Sequence, residues 1–332
     1  MKTRSIMVQT LCVPCCSHCR YCLLSWDGKL PGAEYDRSER FAAAFHTWTR
    51  QNRPDLAFHF SFGYSMEHPA LFRAIDFMRS IGSPGGEFLQ MDGMRMRSND
   101  QLRLLMEGLC AHGIKALNFS FYGMEDYHDS FAGRRGDFSL LLRSTQAALS
   151  SGLKVSAGIP ITRENAAQTD MLLSTLEQEG IRDLRCFIPH EEGRGASLHD
   201  IRCRLEDLKD WSEAALSKLN RSVYRTEAEW IREDPAMPES RMLLVSLQAD
   251  NIERFEKAGF AAVIRELEEL DDAYYAAFPS FSKLAEMYGN PRSTELFSLR
   301  DLRMRYHRQH TAERGLCLYD VTDERQCSSR WY

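Results

Sequence analysis

From Ile6 to Cys22 the chain reads IMVQTLCVPCCSHCRYC, and this stretch decides the fold. Ile6 to Leu11 is an apolar run of strand length that passes directly into a loop where Cys12, Cys15, Cys16, Cys19 and Cys22 crowd into eleven positions. Soft thiolates select zinc or iron–sulfur clusters, and close spacing lets a short arc of chain wrap its sulfurs around one small inorganic body. Cys15-x3-Cys19-x2-Cys22 supplies three ligands for such a cluster. Zinc is the alternative, with Cys12-x2-Cys15 or Cys16-x2-Cys19-x2-Cys22 as ligand sets and His18 as a fourth ligand. A disulfide framework is the weaker account, because a chain of 332 residues needs no staples and the N-terminus has no apolar stretch of signal-peptide length. The expected compartment is the cytoplasm.

Outward from this loop, strand-like and helix-like segments alternate. Leu56 to Phe62, Phe88 to Met91, Ala116 to Phe121, Leu153 to Ile159 and Asp183 to Ile188 continue the series of strands begun at Ile6. Between them, Ser38 to Arg50 carries Phe41, Ala44, Phe45 and Trp48 on one face, and Pro69 opens a helix to Ser80. Ser98-x-x-Gln101 forms a capping box, Asp137 caps a segment that stops at Gly152, and Ala166 to Glu179 ends at Gly180. Strands separated by helices of about a dozen residues are parallel and joined by right-handed crossovers. The predicted fold is α/β: a partial (β/α)6 TIM-like barrel over residues 1–200, with the cysteine loop of residues 12–22 at the mouth formed by the C-terminal ends of the strands.

Beyond Arg194-Gly195 the pattern becomes helical without strands, over Leu205 to Asn220, Glu227 to Glu233, Asn251 to Ala276, Ser280 to Tyr288 and Thr294 to His310. Residues 201–332 are therefore expected to form a helical C-terminal extension. Forty-two Lys plus Arg against 47 Asp plus Glu gives a formal charge of -5, which argues against nucleic acid as the main partner. No run reaches the roughly 18 apolar residues of a membrane span, so no membrane partner is expected.

A CxxxCxxC loop after the first strand of a partial barrel, with Tyr21 before the last cysteine, resembles the radical S-adenosylmethionine (radical SAM) enzymes over roughly residues 6–200. The resemblance implies that Cys15, Cys19 and Cys22 hold one [4Fe-4S] cluster whose fourth iron binds the amino and carboxylate groups of S-adenosylmethionine (SAM). Reductive cleavage of SAM would then give methionine and a 5'-deoxyadenosyl radical that abstracts hydrogen from a peptide or small-molecule biosynthetic substrate. An external donor such as flavodoxin or ferredoxin would supply the electron. The family's glycine-glycine-glutamate-proline stretch is altered here, since Phe62-Gly63-Tyr64-Ser65 keeps Gly63 and puts Tyr64 where the glutamate belongs. The alteration keeps open a second reading, a non-catalytic cluster-binding protein of the same fold.

By the same resemblance, Tyr21, Gly63, Tyr64, Ser65, Ser120, Asn165, Pro189 and Arg194 line the SAM site. Ser120 would make a polar contact, Asn165 would cap a helix near the nucleoside, and Arg194 would clamp the SAM carboxylate. The hydroxyls of Ser61 or Ser65, or the Glu67 carboxylate, are the expected substitutes for the lost glutamate. Cys186 and Tyr122 are the candidate catalytic groups, Cys186 as a hydrogen donor facing the cavity. His190-Glu191-Glu192 reads as an acidic surface loop, and Arg300, Arg303, Arg305 and Arg308 read as a solvated helix face. His307, His310, Cys317 and Cys327 are ligand-capable but too few for the auxiliary clusters that some relatives carry.

Overall fold

The computed structural model describes residues 1–10, 15–22, 33–63, 66–191, 193–237 and 239–314. The strands are β1 (Lys2–Thr10), β2 (Ala57–Ser61), β3 (Phe88–Gln90), β4 (Ala116–Ser120), β5 (Lys154–Pro160), β6 (Asp183–Phe187), β7 (Arg225–Thr226), β8 (Ser240–Leu247) and β9 (Leu296–Phe297). The helices are α1 (Tyr35–Asn52), α2 (Leu71–Ser80), α3 (Asn99–Ala111), α4 (Glu125–Ala132), α5 (Asp137–Ser150), α6 (Thr169–Gln178), α7 (Glu213–Lys218), α8 (Glu227–Glu233), α9 (Ile252–Ala258), α10 (Phe260–Ala276), α11 (Phe281–Tyr288) and α12 (Leu299–Arg314).

The class is α/β, with β2-β1-β8 and β3-β4-β5-β6 each forming an all-parallel sheet. The two sheets meet at the turn Pro84–Gly86, which touches both β2 and β3. There the Ser83 hydroxyl accepts the Phe60 N–H at 2.6 Å, so an edge amide that lacks a strand partner is satisfied by a side chain. This arrangement is compatible with a partial barrel and is not a closed one.

One face of β1, β2, β4, β5 and β8 is apolar. Ile6, Val8, Phe58, Phe60, Leu117, Phe119, Val155, Ala157, Ile159, Leu243, Val245 and Leu247 join one buried core with Phe41, Ala42 and Phe45 of α1, Ile75 of α2, Leu105 of α3 and Leu141 of α5. Phe45 is fully buried and its ring stacks on Phe260 at 4.5 Å. Truncation of such a residue to alanine costs about 3–5 kcal/mol, so the layer of helices outside the strands is well anchored. The alternate positions form the inner face: Gln90, Asn118 and Ser156 lie in register across β3, β4 and β5. Asn118 donates to Gln90 at 2.7 Å and accepts from Ser156 at 2.8 Å, so this face is a hydrogen-bonded polar layer.

The C-terminal half departs from the helical expectation. β8 is an eight-residue strand that pairs in parallel with β1 from Lys2↔Ser240 to Thr10↔Leu247, so residues beyond 200 contribute to the same sheet that carries the cysteine loop. Arg241 fastens it: the buried guanidinium donates to Asp271 at 3.1 Å and Asp272 at 2.6 Å on α10 and to Thr3 at 3.2 Å on β1. The helix expected over Leu205 to Asn220 is a short 3-10 turn at Leu205–Leu208 followed by α7. That expected over Asn251 to Ala276 breaks at Gly259, whose φ of 80° suits glycine. Earlier in the chain the Ser98 capping box forms as expected, whereas Gly136 and not Asp137 occupies the N-cap of α5. Among the described residues, no helix is long and apolar enough to cross a membrane.

Candidate functional site

The cysteine loop leaves the C-terminal end of β1 and is held from three sides by backbone hydrogen bonds. The Cys16 N–H donates to the Gly93 carbonyl at 2.8 Å, just after β3. Next, His18 and Arg20 donate to Ala132 at 2.8 Å and Phe131 at 3.0 Å, at the end of α4. Finally, Arg194 donates to the Cys22 carbonyl at 3.0 Å, from the segment after β6. Two glycines permit the close approach. A Cβ on Gly93 would stand 2.3 Å from the Cys15 sulfur, and one on Gly195 would meet the His190 carbonyl oxygen at 2.2 Å. The segment after β6 therefore serves as a backbone clamp on the loop; Pro189 is buried and gives its carbonyl to Arg202 at 3.3 Å.

Cys15, Cys19 and Cys22 come close enough to interact electrostatically. Burial pushes the Cys15 and Cys19 thiols upward, and neighbouring sulfurs and Asp92 add to the effect. Cys19 shares a 3.1 Å hydrogen bond with the Tyr122 hydroxyl. Tyr122 is itself buried and stacks on His128 with ring centroids 4.7 Å apart, so it is a rigid support for that sulfur. Among the described residues, no three His, Cys, Asp or Glu side chains converge on a single-ion position. Cys12 lies outside the described residues.

Beside the thiols lies a polar group that the sequence reading did not single out. Asp92 follows β3 and its carboxylate lies deep within the protein. It accepts three strong hydrogen bonds, from the Ser120 N–H at 2.8 Å, the Ser120 hydroxyl at 2.7 Å and Gln90 Nε2 at 2.5 Å. Among the described residues no lysine or arginine pairs with it. Burial consequently pushes its carboxyl above the usual range despite those donors. The Tyr21 hydroxyl reaches Ser120 Oγ at 3.3 Å, and the Tyr21 ring lies 5.4 Å from that of Tyr122 and 6.2 Å from that of Phe187. Tyr21, Ser120 and Asp92 thus form one wall next to the cysteines. The only sequence signal for Asp92 was Asp-Gly, which reads as turn chemistry.

Other expected residues are placed differently. Asn165 is buried, but its amide caps no helix; it accepts the Thr162 N–H at 2.7 Å and donates to the Tyr122 carbonyl at 2.6 Å and the Pro160 carbonyl at 2.7 Å, tying together the loops after β4 and β5. Cys186 is in register with Ile159 and belongs to the apolar core, so it stands on the outward face of β6 and not toward the cavity. Glu67 does not replace the lost glutamate, because its buried carboxylate is committed to Arg97 at 2.7 Å and Arg95 at 3.1 Å. Gly63 has a φ of 66°, and its N–H donates to Ser61 Oγ at 3.3 Å. Tyr64, Ser65, Glu192, Cys317 and Cys327 lie outside the described residues.

Glu191 is not part of an acidic surface. It is buried and paired with Arg202 at 2.6 Å and Arg305 at 2.6 Å, and the arginines hold its carboxyl at about 2 although burial alone would raise it. Arg308 adds a bond to the Glu191 carbonyl at 2.8 Å, and His190 pairs with buried Asp301 at 2.8 Å. The arginine-rich helix α12 is therefore docked on the loop after β6 through charge and is not a solvated face.

No protein-family model and no curated protein sequence matches this chain. Solved structures similar to it include "Crystal structure of Streptococcus suis SuiB bound to S-adenosylmethionine", at 12% identity and a TM-score of 0.45 over 73% of this chain and 51% of that one. "Native anSMEcpe with bound AdoMet" is similar at 15% identity and a TM-score of 0.39 over 57% of this chain and 53% of that one. "Coproporphyrinogen III oxidase (HemN) from Escherichia coli is a Radical SAM enzyme" is similar at 12% identity and a TM-score of 0.45 over 92% of this chain and 74% of that one. The chain spans about half the length of the SuiB and anSMEcpe chains.

Proposed function

We propose that this chain is a radical SAM enzyme that binds one [4Fe-4S] cluster through Cys15, Cys19 and Cys22 and holds SAM between that cluster and the wall of Tyr21, Ser120 and Asp92. The observation that carries the reading is the convergence of three thiols beside a deep carboxylate that has no cationic partner among the described residues. Three protein ligands leave one iron free for an exogenous chelating ligand. A buried carboxylate without a counter-charge is costly, and a cationic ligand removes that cost. SAM carries both an ammonium and a sulfonium. Asp92, already oriented by Ser120 and Gln90, is then the counter-charge that Glu67 cannot provide.

When bound, the cluster and SAM together supply a radical able to abstract hydrogen from an unactivated C–H bond. The protein's part is to position and to exclude water. Tyr122 fixes the Cys19 sulfur, and Asn165 locks the loops after β4 and β5 against the Tyr122 backbone. The rings of Tyr21, Tyr122 and Phe131 shield the inner side of the cysteine loop. A peptide or small-molecule substrate and a flavodoxin- or ferredoxin-like electron donor belong to the same proposal.

Anaerobic reconstitution tests it. Wild-type protein should take up four irons and four sulfides, and Cys15→Ala, Cys19→Ala and Cys22→Ala should each lose almost all of them while Cys16→Ala keeps them. Adding SAM to the reduced wild type should change the cluster's electron paramagnetic resonance spectrum. Asp92→Asn should weaken SAM binding by about ten- to a hundredfold, the loss expected for a buried charge-assisted contact. Full iron in a Cys19→Ala protein, or a spectrum indifferent to SAM, would overturn the assignment.

A further inference from the structure

Cys19 is buried where Cys15 and Cys22 are half-buried, and its sulfur lies 3.1 Å from the Tyr122 hydroxyl. A free thiol could donate or accept in that contact. A metal-bound thiolate has no proton, so the phenol hydroxyl must then be the donor. The Cys15 sulfur faces an acceptor instead, the Ser17 carbonyl at 3.7 Å. Tyr122 has little freedom to leave Cys19. Its ring stacks on His128 with centroids 4.7 Å apart and lies against Phe131 at 4.9 Å. Its backbone N–H donates to His128 Nδ1 at 3.1 Å, so that nitrogen carries no proton, and Nε2 carries the one that faces Asp137 at 3.3 Å. Cys19 is tied to the same helix: the N–H groups of His18 and Arg20, on either side of it, bond to the carbonyls of Ala132 and Phe131. Ring and sulfur are both fixed to α4, which keeps their contact independent of adjustments elsewhere in the cysteine loop.

We propose that Tyr122 is a positioning residue whose hydroxyl sets the reduction potential of the cluster through the Cys19 sulfur; this deepens the radical SAM reading and rests on it. Hydrogen bonds to the sulfurs are among the levers that fix the potential of an iron–sulfur cluster. Reduction by the external donor adds one electron, and part of the added negative charge falls on the sulfurs. A hydrogen-bond donor therefore stabilises the reduced form more than the oxidised one. The Tyr122 hydroxyl raises the potential in this way and makes the cluster easier to reduce. Its proton stays on the phenol oxygen throughout. A ring that served packing alone would need no hydroxyl, since phenylalanine fills the same stack between His128 and Phe131.

Redox titration of the anaerobically reconstituted full chain, followed by the electron paramagnetic resonance signal of the reduced cluster, tests this without turnover. Tyr122→Phe keeps the ring and removes the donor. It should hold the same iron and sulfide as wild type and have a lower potential, by on the order of a tenfold change in the reduced-to-oxidised ratio, or about 59 mV for one electron. A 3-fluorotyrosine in place of Tyr122 nearly keeps the shape and donates more strongly, so it should move the potential upward. Opposite shifts are the expected result, because a change in packing or water access has no reason to reverse sign between the two. An unchanged or raised potential in Tyr122→Phe, or no rise with the fluorotyrosine, would overturn the role of the hydroxyl. If Tyr122→Phe does not fold, the fluorotyrosine protein alone decides by the same criterion. Iron and sulfide content and the spectral response to SAM are measured on the wild type first: their absence would overturn the radical SAM reading, whereas their presence without the shifts overturns only the role of Tyr122.

Discussion

Gly93→Ala probes the contact between the end of β3 and Cys15, the first of the three proposed cluster ligands. Gly93 has a φ of 72°, and an added Cβ would lie 2.3 Å from the Cys15 sulfur. Ordinary contacts between such atoms fall at about 3.5–4.0 Å, so the sulfur must retreat by about 1.2 Å or more. The backbone cannot simply separate, because the Cys16 N–H is bonded to the Gly93 carbonyl at 2.8 Å. Metal ligands hold their distances within about 0.2 Å, so a displacement of this size removes Cys15 as an effective ligand. The left-handed backbone adds a second cost of about 1–2 kcal/mol for any residue with a Cβ. Gly152→Ala separates the two effects, since Gly152 has a φ of 78° and open space around its Cβ position. Both variants should melt a few degrees below wild type, with Gly93→Ala the lower. Only Gly93→Ala should fall well short of four irons after anaerobic reconstitution. Equal iron in the two variants would refute the reasoning about Cys15.

Three further outcomes follow from the charges. Arg202→Met strands buried Glu191 with fewer partners and should cost about 3–5 kcal/mol, measured by denaturant unfolding. Glu191 is held at about 2 against an ordinary 4.5, so its stabilisation is complete above about pH 4.5 and is lost as pH falls toward 2; Asp301, also held at about 2, acts in the same direction. Melting temperature followed from pH 7 to 2 should therefore drop across that window, and the drop should be shallower in Arg202→Met. Glu67→Gln should lower stability by loosening Arg95 and Arg97 but leave SAM affinity unchanged by calorimetry, in contrast to Asp92→Asn.

The first half of the fold was legible because its strands alternate with helices whose apolar residues recur at helical spacing, and because the cysteine loop follows directly on a strand. β8 was not legible. Its core, Met242-Leu243-Leu244-Val245, is apolar at consecutive positions, and a short continuous run of that kind carries no period to mark it as a strand. The spacing of Cys15, Cys19 and Cys22 is visible in the sequence, whereas Asp92 was hidden in a turn-like Asp-Gly pair. The misreading of Glu191 has a similar origin: Arg202 is eleven residues away and Arg305 is 114 away, so only the folded chain reveals that the carboxylate is enclosed by cations. Cys186 was given a role by its place on a strand, but strand position without register does not say which face a side chain takes.

The most direct measurement is quantification of 5'-deoxyadenosine and methionine after anaerobic reduction of the reconstituted protein with dithionite in the presence of SAM. The proposal predicts that both accumulate in equal amounts with wild-type protein and are absent with Cys19→Ala. Wild-type protein carrying a full complement of iron and binding SAM, yet releasing neither product, would contradict it and leave a cluster-binding protein without this catalysis.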